Sequence, residues 1–439
     1  MPTIAHNEIH SWWDGKVIID EIKTFSDDRG LVCELWRSDD MGRMVEQSDL
    51  RPQMAYWSLT KPLVMRGPHA HESQTDWFVC WQSRMVYQFY NPETDEMKYF
   101  ISTADKVYRI KVAPPIIHSY RNTELRIVMT GNFPTALYAG QEKKEAVDEI
   151  RHEDKLDHNN VYVILGSEGR LGRALTASFY HHMAMHAYDV IPLSMMIEPS
   201  DFDQLEEIFR AVDRVVGGRK VRFINAAALA NVQTAQAGTE LLWVNSRLPL
   251  ELAKRCAARG WRFMQFSTDY IYQQDGKLSA YTLSKQEMEA DFNEVDNSVR
   301  AVSTIIRLSN LFSTDPKDKH HLPGKLKEQI TAGQTLKIIP EQTVGLTAVE
   351  VLSEFLVDLL INNNQILLGD GFKRVNLVSP PLTLLQLLVD YFKYDRFETV
   401  KPELEEWYSR FQQGENADHV FTLPDSHEHI LEYISKASN

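Results

Sequence analysis

A chain of 439 residues is too long for one ordinary core and implies two domains or more. Its 43% apolar and 25% charged content is that of a globular protein, and a formal charge of −14 argues against a nucleic-acid surface, which rests on clustered Lys and Arg. The acidity is shared, with −6 over residues 1–157 and −8 over the rest, so an anionic ligand would need local basic groups or helix N-termini.

The N-terminus has no basic start followed by an apolar run, and no stretch approaches membrane-spanning length. The expected location is cytoplasmic. Cys33, Cys80 and Cys256 are too scattered for a disulfide framework or a Cys-x-x-Cys metal site, and read as buried small hydrophobes.

Residues 15–140 carry short β-like runs, among them "KVIIDEI", "MAYWSL", "DWFVCW", "RMVYQFY", "KVYRIKV" and "RIVMTG", separated by turn signals such as "DDRG" and "NPETDE". This spacing predicts an all-β sandwich or barrel. Within it, "VMRGPHAHESQTDWFVCW" offers Arg66, His69 and His71, and "KVAPPIIHSYRN" offers His118. A His-x-His pair with a distant histidine is a metal-ligand pattern in small β-barrels, but Thr75 and Asp76 stand where a glutamate usually supplies the fourth ligand. Partly buried, hydrogen-bonded histidines are the plain alternative. The charged run "DEIRHEDKLDHNN" lacks hydrophobic periodicity and is expected to be a linker, dividing the chain into residues 1–157 and 158–439.

From residue 161 the pattern alternates strand and helix, the mark of a doubly wound parallel sheet. "VYVILGSEGRLGRAL" puts Gly166, Gly169, Arg170, Leu171 and Gly172 between a strand and a helix, where glycines permit a tight turn and a helix N-terminus can meet a pyrophosphate. "SDFDQLEEIFRAV", with Asp201 at its start, opens with a cap, and the strand end "INAAALANV" brings Asn225, Ala226 and Ala227. Asn245 follows in a helix. "STDYIYQQDGKLSAYTLSK" then holds Thr268, Tyr281 and Lys285. Tyr-x-x-x-Lys puts phenol and ammonium one helical turn apart, and the ammonium is expected to lower the phenol pKa for proton transfer. Thr268, at a strand end, can hydrogen-bond the same carbonyl oxygen.

Together the glycine loop, "INAAA", "STDY" and Tyr-x-x-x-Lys resemble the extended short-chain dehydrogenase/reductase superfamily, most of all dTDP-4-dehydrorhamnose reductase, over residues 160–385. The resemblance implies a Rossmann domain, a Thr268/Tyr281/Lys285 triad, and cofactor contacts from the glycine loop, Asp201, Asn225–Ala227, Asn245, Tyr281 and Lys285. Only "IYQQDGKLSA" separates "STDY" from Tyr281, where the family inserts a longer loop, and Glu168 in the phosphate loop is unusual. The second strand ends "VIPLSM" without an acid for a ribose 2′-hydroxyl, which favours NADPH over NADH.

"FSDDRGLVCEL", "RGPHAH", "APPIIHSY" and "LYAGQEKKEAVDEIRHED" resemble the dTDP-4-dehydrorhamnose 3,5-epimerase family, a metal-free cupin-type barrel, over residues 15–155. The resemblance implies His69 as base, Asp154 as the carboxylate orienting it, and Arg29, Glu34, Arg66, His118 and Tyr138 as sugar-nucleotide contacts. It also implies a homodimer through this domain. Asn132 stands where the family has its acid tyrosine. One epimerised centre, water or Tyr90 as acid, keto-isomerisation, or mere binding all fit that departure.

Both resemblances point to 4-keto-6-deoxy nucleotide sugars, and the epimerase product is the reductase substrate. The expectation is therefore a bifunctional 3,5-epimerase/4-reductase acting on a dTDP or UDP sugar. An NADP-binding regulatory subunit, like that of methionine adenosyltransferase, and a reductase fused to a 3,4-ketoisomerase are the alternatives.

Overall fold

The computed structural model describes residues 7–35, 52–137, 149–151, 160–182, 188–193, 197–198, 201–229, 237–273, 278–340, 342–362, 366–367, 369–399 and 407–436. The chain divides into two compact units. One holds Met1–Val161, Met183–Met195 and Glu206–Arg219; the other holds Tyr162–His182, Met196–Leu205 and Lys220–Asn439.

The N-terminal strands are β1 (Asn7–Trp12), β2 (Val17–Ile22), β3 (Thr24–Asp27), β4 (Gly30–Cys33), β5 (Tyr56–Thr60), β6 (Met65–His71), β7 (Asp76–Trp81), β8 (Met85–Asn91), β9 (Glu96–Ile101), β10 (Val107–Val112), β11 (Ile117–Asn122), β12 (Val128–Asn132) and β13 (Glu149–Arg151). They pair antiparallel into two main sheets, ordered β1-β2-β10-β7-β12-β5 and β13-β6-β11-β8-β9. Side chains from both sheets make one core, including Ile19, Phe78 and Ile110 from the first and Tyr87, Phe89 and Tyr120 from the second. This agrees with the all-β expectation.

Two readings need correction. The charged run taken as a linker contributes β13, which pairs Glu149 with His71 and Arg151 with His69. Backbone pairing with a neighbouring strand needs no hydrophobic period, so the run gave no signal. Cys33 is only partly buried, whereas Cys80 and Cys256 are buried and all three are free thiols.

The alternating half supplies β14 (Asn160–Leu165), β15 (Asp189–Leu193), β16 (Lys220–Asn225), β17 (Arg262–Thr268), β18 (Ser303–Leu308), β19 (Asn310–Phe312), β20 (Leu336–Ile338), β21 (Thr343–Ala348), β22 (Lys373–Val378), β23 (Pro381–Thr383), β24 (Phe397–Thr399) and β25 (His419–Thr422). Seven of them form one sheet, β15-β14-β16-β17-β18-β22-β25, parallel from β16 to β25. That is the Rossmann-like arrangement the alternation predicts. β17 and β18 are near-continuous buried runs, as a parallel sheet covered on both faces requires. No described helix is long and apolar enough to cross a membrane.

Candidate functional sites

In the parallel sheet, the predicted residues gather at the carboxyl ends of adjacent strands, where such sheets bind ligands. β14 ends at Leu165, and Gly166 turns the chain with φ +78°. A Cβ there would lie 2.6 Å from the Ala227 nitrogen, so only glycine lets this loop approach Ala226 and Ala227. A Cβ on Gly172 would fall 2.1 Å from the Gly166 carbonyl oxygen. The loop closes through Gly169 N–H donating to the Gly166 carbonyl (3.0 Å), and the helix Arg170–His182 starts immediately after. Its first turn carries free N–H groups and positive dipole charge, a fit for a pyrophosphate. Leu171 turns a buried side chain into the fold, leaving its backbone to the loop. Glu168 is exposed.

Two expected cofactor contacts have other employment. Arg170 is locked onto Asp318 by a two-pronged ion pair (2.5 and 2.8 Å), so it is not a free cation for phosphate. Asp201 caps the helix Phe202–Val216, its Oδ1 accepting from the Gln204 amide at 2.8 Å.

Asn225 is wholly buried, donates to Gln265 Oε1 (2.7 Å) and accepts from the Ala227 amide (3.2 Å), holding the small-residue loop in place. Asn245 lies in a π-helical segment, Trp243–Arg247. Its amide clamps the Leu229 backbone in both directions (2.9 and 2.8 Å) and donates to Ser284 Oγ (3.2 Å), which in turn donates to the Tyr281 carbonyl (2.7 Å). It therefore ties the alanine loop to the helix Ala280–Glu294 that bears Tyr281 and Lys285. Ser279 caps that helix, accepting from the Thr282 amide at 3.0 Å.

The electrostatics differ from the expectation. Burial pushes the Tyr281 phenol up to about 12; the Asp269 carboxylate adds to this, and a hydrogen bond with Thr268 opposes it. Burial also pulls Lys285 down to about 8, against the pull of Glu289. Lys285 does not lower the phenol here: its Nζ lies 6.0 Å from the ring centre and donates to the Phe266 carbonyl at 3.1 Å. Beneath it Glu289 accepts from Ser267 Oγ (2.7 Å) and is paired with buried Arg307 (2.6 Å). Sequence reasoning missed Asp269. It is buried beside Thr268, which donates to its Oδ1 at 3.0 Å, and burial raises its pKa to about 8. Its place inside "STDY" was the available signal.

The second cluster joins the two N-terminal sheets. β6 and β11 pair His69 with His118, and Gly67 makes the approach possible: a Cβ there would lie 2.6 Å from the His118 carbonyl oxygen. From the opposite sheet Asp76, the first residue of β7, meets His71 Nε2 at 3.0 Å and His118 Nε2 at 3.3 Å through one oxygen. Its other oxygen accepts from Gln74 (2.8 Å) and Asn132 (3.0 Å). Burial opposes ionisation of Asp76, but the two imidazoles hold its pKa well below the usual carboxylate range. Asn132 also donates to the Tyr56 hydroxyl at 2.8 Å, so a phenol from β5 reaches the residue that replaces the expected acid tyrosine. Neither Asp76 nor Tyr56 was assigned a catalytic place from sequence.

Arg66 is fastened to β5 through Thr60 Oγ1 (3.0 Å) and the Leu59 carbonyl (2.8 Å). Arg29 sits in the exposed β3–β4 turn paired with Asp27, and Glu34 just past β4 is half-buried. Tyr90 donates to Asp95 at 2.7 Å. Asp154 and Tyr138 lie outside the described residues.

Residues 160–367 match the family model of the RmlD substrate binding domain. That segment is similar to the RmlD substrate binding domain. Two solved reductases share that likeness at low identity. The dTDP-4-dehydrorhamnose reductase of Clostridium acetobutylicum is 17% identical, with 64% of this chain and 100% of that one covered and a TM-score of 0.46. That of Bacillus anthracis, in complex with NADP, is 16% identical with 64% and 99% covered and a TM-score of 0.46. Among curated proteins, the probable low-salt glycan biosynthesis epimerase Agl13 of Haloferax volcanii is 27% identical over 135 residues, 29% of this chain and 83% of its own.

Proposed function

We propose that the chain is a bifunctional nucleotide-sugar enzyme, an NADPH-dependent 4-ketosugar reductase joined to a cupin-type domain that moves protons next to the same ketone. The observation that carries the reductase reading is the convergence of the glycine loop, Asn225, Thr268, Tyr281 and Lys285 at one edge of a parallel sheet. The close backbone packing at Gly166 and Gly172, which a Cβ would block, sets the N-terminus of the helix Arg170–His182 at the end of β14, as a dinucleotide requires. NADPH, when bound, supplies the hydride. Tyr281, a neutral phenol at pH 7 with its pKa near 12, donates a proton to the sugar oxygen, and Thr268 orients that oxygen. Asn245 and the Glu289–Arg307 pair keep the helix and Lys285 in register.

In the β domain, a C4 ketone acidifies the neighbouring carbon-bound protons, and His69 is the base within the cluster of imidazoles. Tyr56, joined to Asn132, is the candidate acid. The likeness to an epimerase supports this half, and placing both sites on one chain raises the local concentration of the intermediate. The cofactor contacts assigned to Arg170 and Asp201 are not carried forward, since both have structural partners.

The test offers the full chain dTDP- and UDP-4-keto-6-deoxyglucose with NADPH, in D2O, and follows NADPH absorbance and the products by NMR. Oxidation of NADPH with deuterium appearing at C3 or C5 is expected. No oxidation with either sugar removes the reductase reading, and an NADP-binding regulatory role then stands in its place.

A further inference from the structure

Asp269 is 1% exposed and opens the short turn Asp269–Tyr272 at the end of β17. Its Oδ1 lies 3.0 Å from Thr268 Oγ1, and its Oδ2 is buried without a hydrogen-bond partner. We propose that Asp269 is a positioning residue for Tyr281: as a neutral acid it turns the Thr268–Tyr281 hydroxyl pair towards the substrate, and as a carboxylate it turns that pair away. This role rests on the reductase reading, in which Tyr281 is the proton donor.

A hydrogen count at Thr268 carries it. The hydroxyl has one hydrogen and two lone pairs. Three neighbours claim them: the Tyr270 amide, which donates at 3.2 Å as Thr268 caps the turn, the Asp269 carboxyl, and the Tyr281 hydroxyl. The amide can only donate, so one lone pair is spent on it. An ionised Asp269 can only accept, and takes the single hydrogen of Thr268. The remaining lone pair is then left for Tyr281, whose proton points at Thr268 and away from the sugar.

With a protonated Asp269 the order reverses. The carboxyl donates to Thr268, Thr268 turns its hydrogen to the Tyr281 oxygen, and the phenol hydrogen is free for the sugar oxygen. No proton leaves Asp269 here; only the direction of the hydrogen bonds changes. Lys285 Nζ lies 6.0 Å from the Tyr281 ring centre, so the phenol hydrogen is oriented from the Thr268 side.

The surroundings favour the neutral acid. Among the described residues no Lys, Arg or His pairs with Asp269, and besides Thr268 the carboxyl meets the backbone amides of Tyr270 and of Asp269 itself. A buried carboxylate with no cation and one oxygen without a partner is costly, whereas the neutral acid carries no charge to desolvate. The titratable groups facing it are the Tyr270 phenol in the same turn and the Tyr281 phenol from the helix Ala280–Glu294; the Asp269 charge raises the pKa of both. Lys285 on that helix is held at the Phe266 carbonyl. Burial brings the carboxyl's own pKa to about 8, so the reversal falls in a range where turnover can be followed.

The experiment follows NADPH oxidation by the full-length chain with dTDP- and UDP-4-keto-6-deoxyglucose, from about pH 6 to about pH 9.5, for wild type and Asp269→Asn. Wild-type kcat is expected to fall above about pH 8, roughly tenfold per pH unit. Asparagine cannot ionise and keeps an N–H to donate to Thr268, so that alkaline limb should disappear from the variant. Lys285, also lowered to about 8, would leave its own limb in both proteins. A limb unchanged in Asp269→Asn therefore overturns the proposal, as does a wild-type profile flat to about pH 9. Should the variant fail to fold, the infrared spectrum of the wild-type chain decides. A protonated-carboxyl band is expected near pH 6, where ordinary carboxylates are ionised, fading as pH passes about 8; its absence near pH 6 overturns the proposal. No NADPH oxidation at any pH removes the reductase reading itself, whereas oxidation with an unaltered limb removes only the role of Asp269.

Discussion

The Lys285 ammonium nitrogen lies 6.0 Å from the ring centre of Tyr281 and donates to a strand carbonyl rather than to the phenol. Burial governs both groups, raising the tyrosine pKa to about 12 and lowering that of the lysine to about 8. At neutral pH the phenol therefore keeps its proton, as a donor to a developing alkoxide must. Tyr281→Phe should reduce turnover by roughly a hundredfold or more while leaving NADPH binding nearly intact. Near-wild-type turnover in steady-state assays would remove Tyr281 from the chemistry.

Asp269 gives a pH dependence with a definite sign. Its folded pKa of about 8 exceeds the ordinary aspartate value of 3.8, so between those values the folded chain keeps a proton that the unfolded chain has released. Stability from this group is present below about pH 4 and lost as pH rises towards 8. Asp269→Asn cannot ionise, so wild type should lose ground to it between about pH 4 and 8 by roughly a few kcal/mol at most. Denaturant melts of both proteins across that range check the trend, and a constant difference would mean that Asp269 titrates normally.

The phosphate loop should tolerate no side chain at its third glycine. Gly172→Ala places a methyl group 2.1 Å from the Gly166 carbonyl oxygen, against backbone that cannot swing aside. Dinucleotide affinity should fall at least roughly tenfold, about 1.4 kcal/mol. Intrinsic-fluorescence titration measures this, and unaltered affinity would mean that the loop relaxes or takes no pyrophosphate.

NADPH should bind more tightly than NADH, because the second strand runs into "SMM" without a carboxylate to grip a ribose 2′-hydroxyl or repel a 2′-phosphate. Parallel titrations settle the preference. Equal or reversed affinities would undo the argument.

Tyr56 reaches Asn132 across the β5–β12 pairing, which sets the two residues opposite one another. If its hydroxyl returns the proton, Tyr56→Phe should slow deuterium entry at one sugar carbon by roughly a hundredfold and leave NADPH oxidation on a pre-epimerised sugar unchanged. Equal slowing of both reactions would indicate a folding defect, and no slowing would transfer the role to Tyr90 or water.

Local spacing in the sequence determined a good part of this protein. The step of one helical turn from Tyr281 to Lys285 sets both on one face, and glycines between an apolar strand and a helix set a phosphate-sized loop; neither needs a distant partner. Period and turn chemistry likewise distinguished an antiparallel β half from an alternating parallel one. Tertiary structure alone decided what those residues touch. β6 and β11, interrupted by Pro68 or rich in polar residues, are absent from the β-like runs that the sequence shows, yet their pairing brings His69 and His118 together. Asp76 joins them from the opposite sheet, Tyr56 meets Asn132 across 76 positions, and Arg170 is drawn to Asp318 across 148. Such partnerships depend on strand register and sheet packing, which bury charges at a cost only their mutual contacts offset, and no local period records which distant strand will supply the partner.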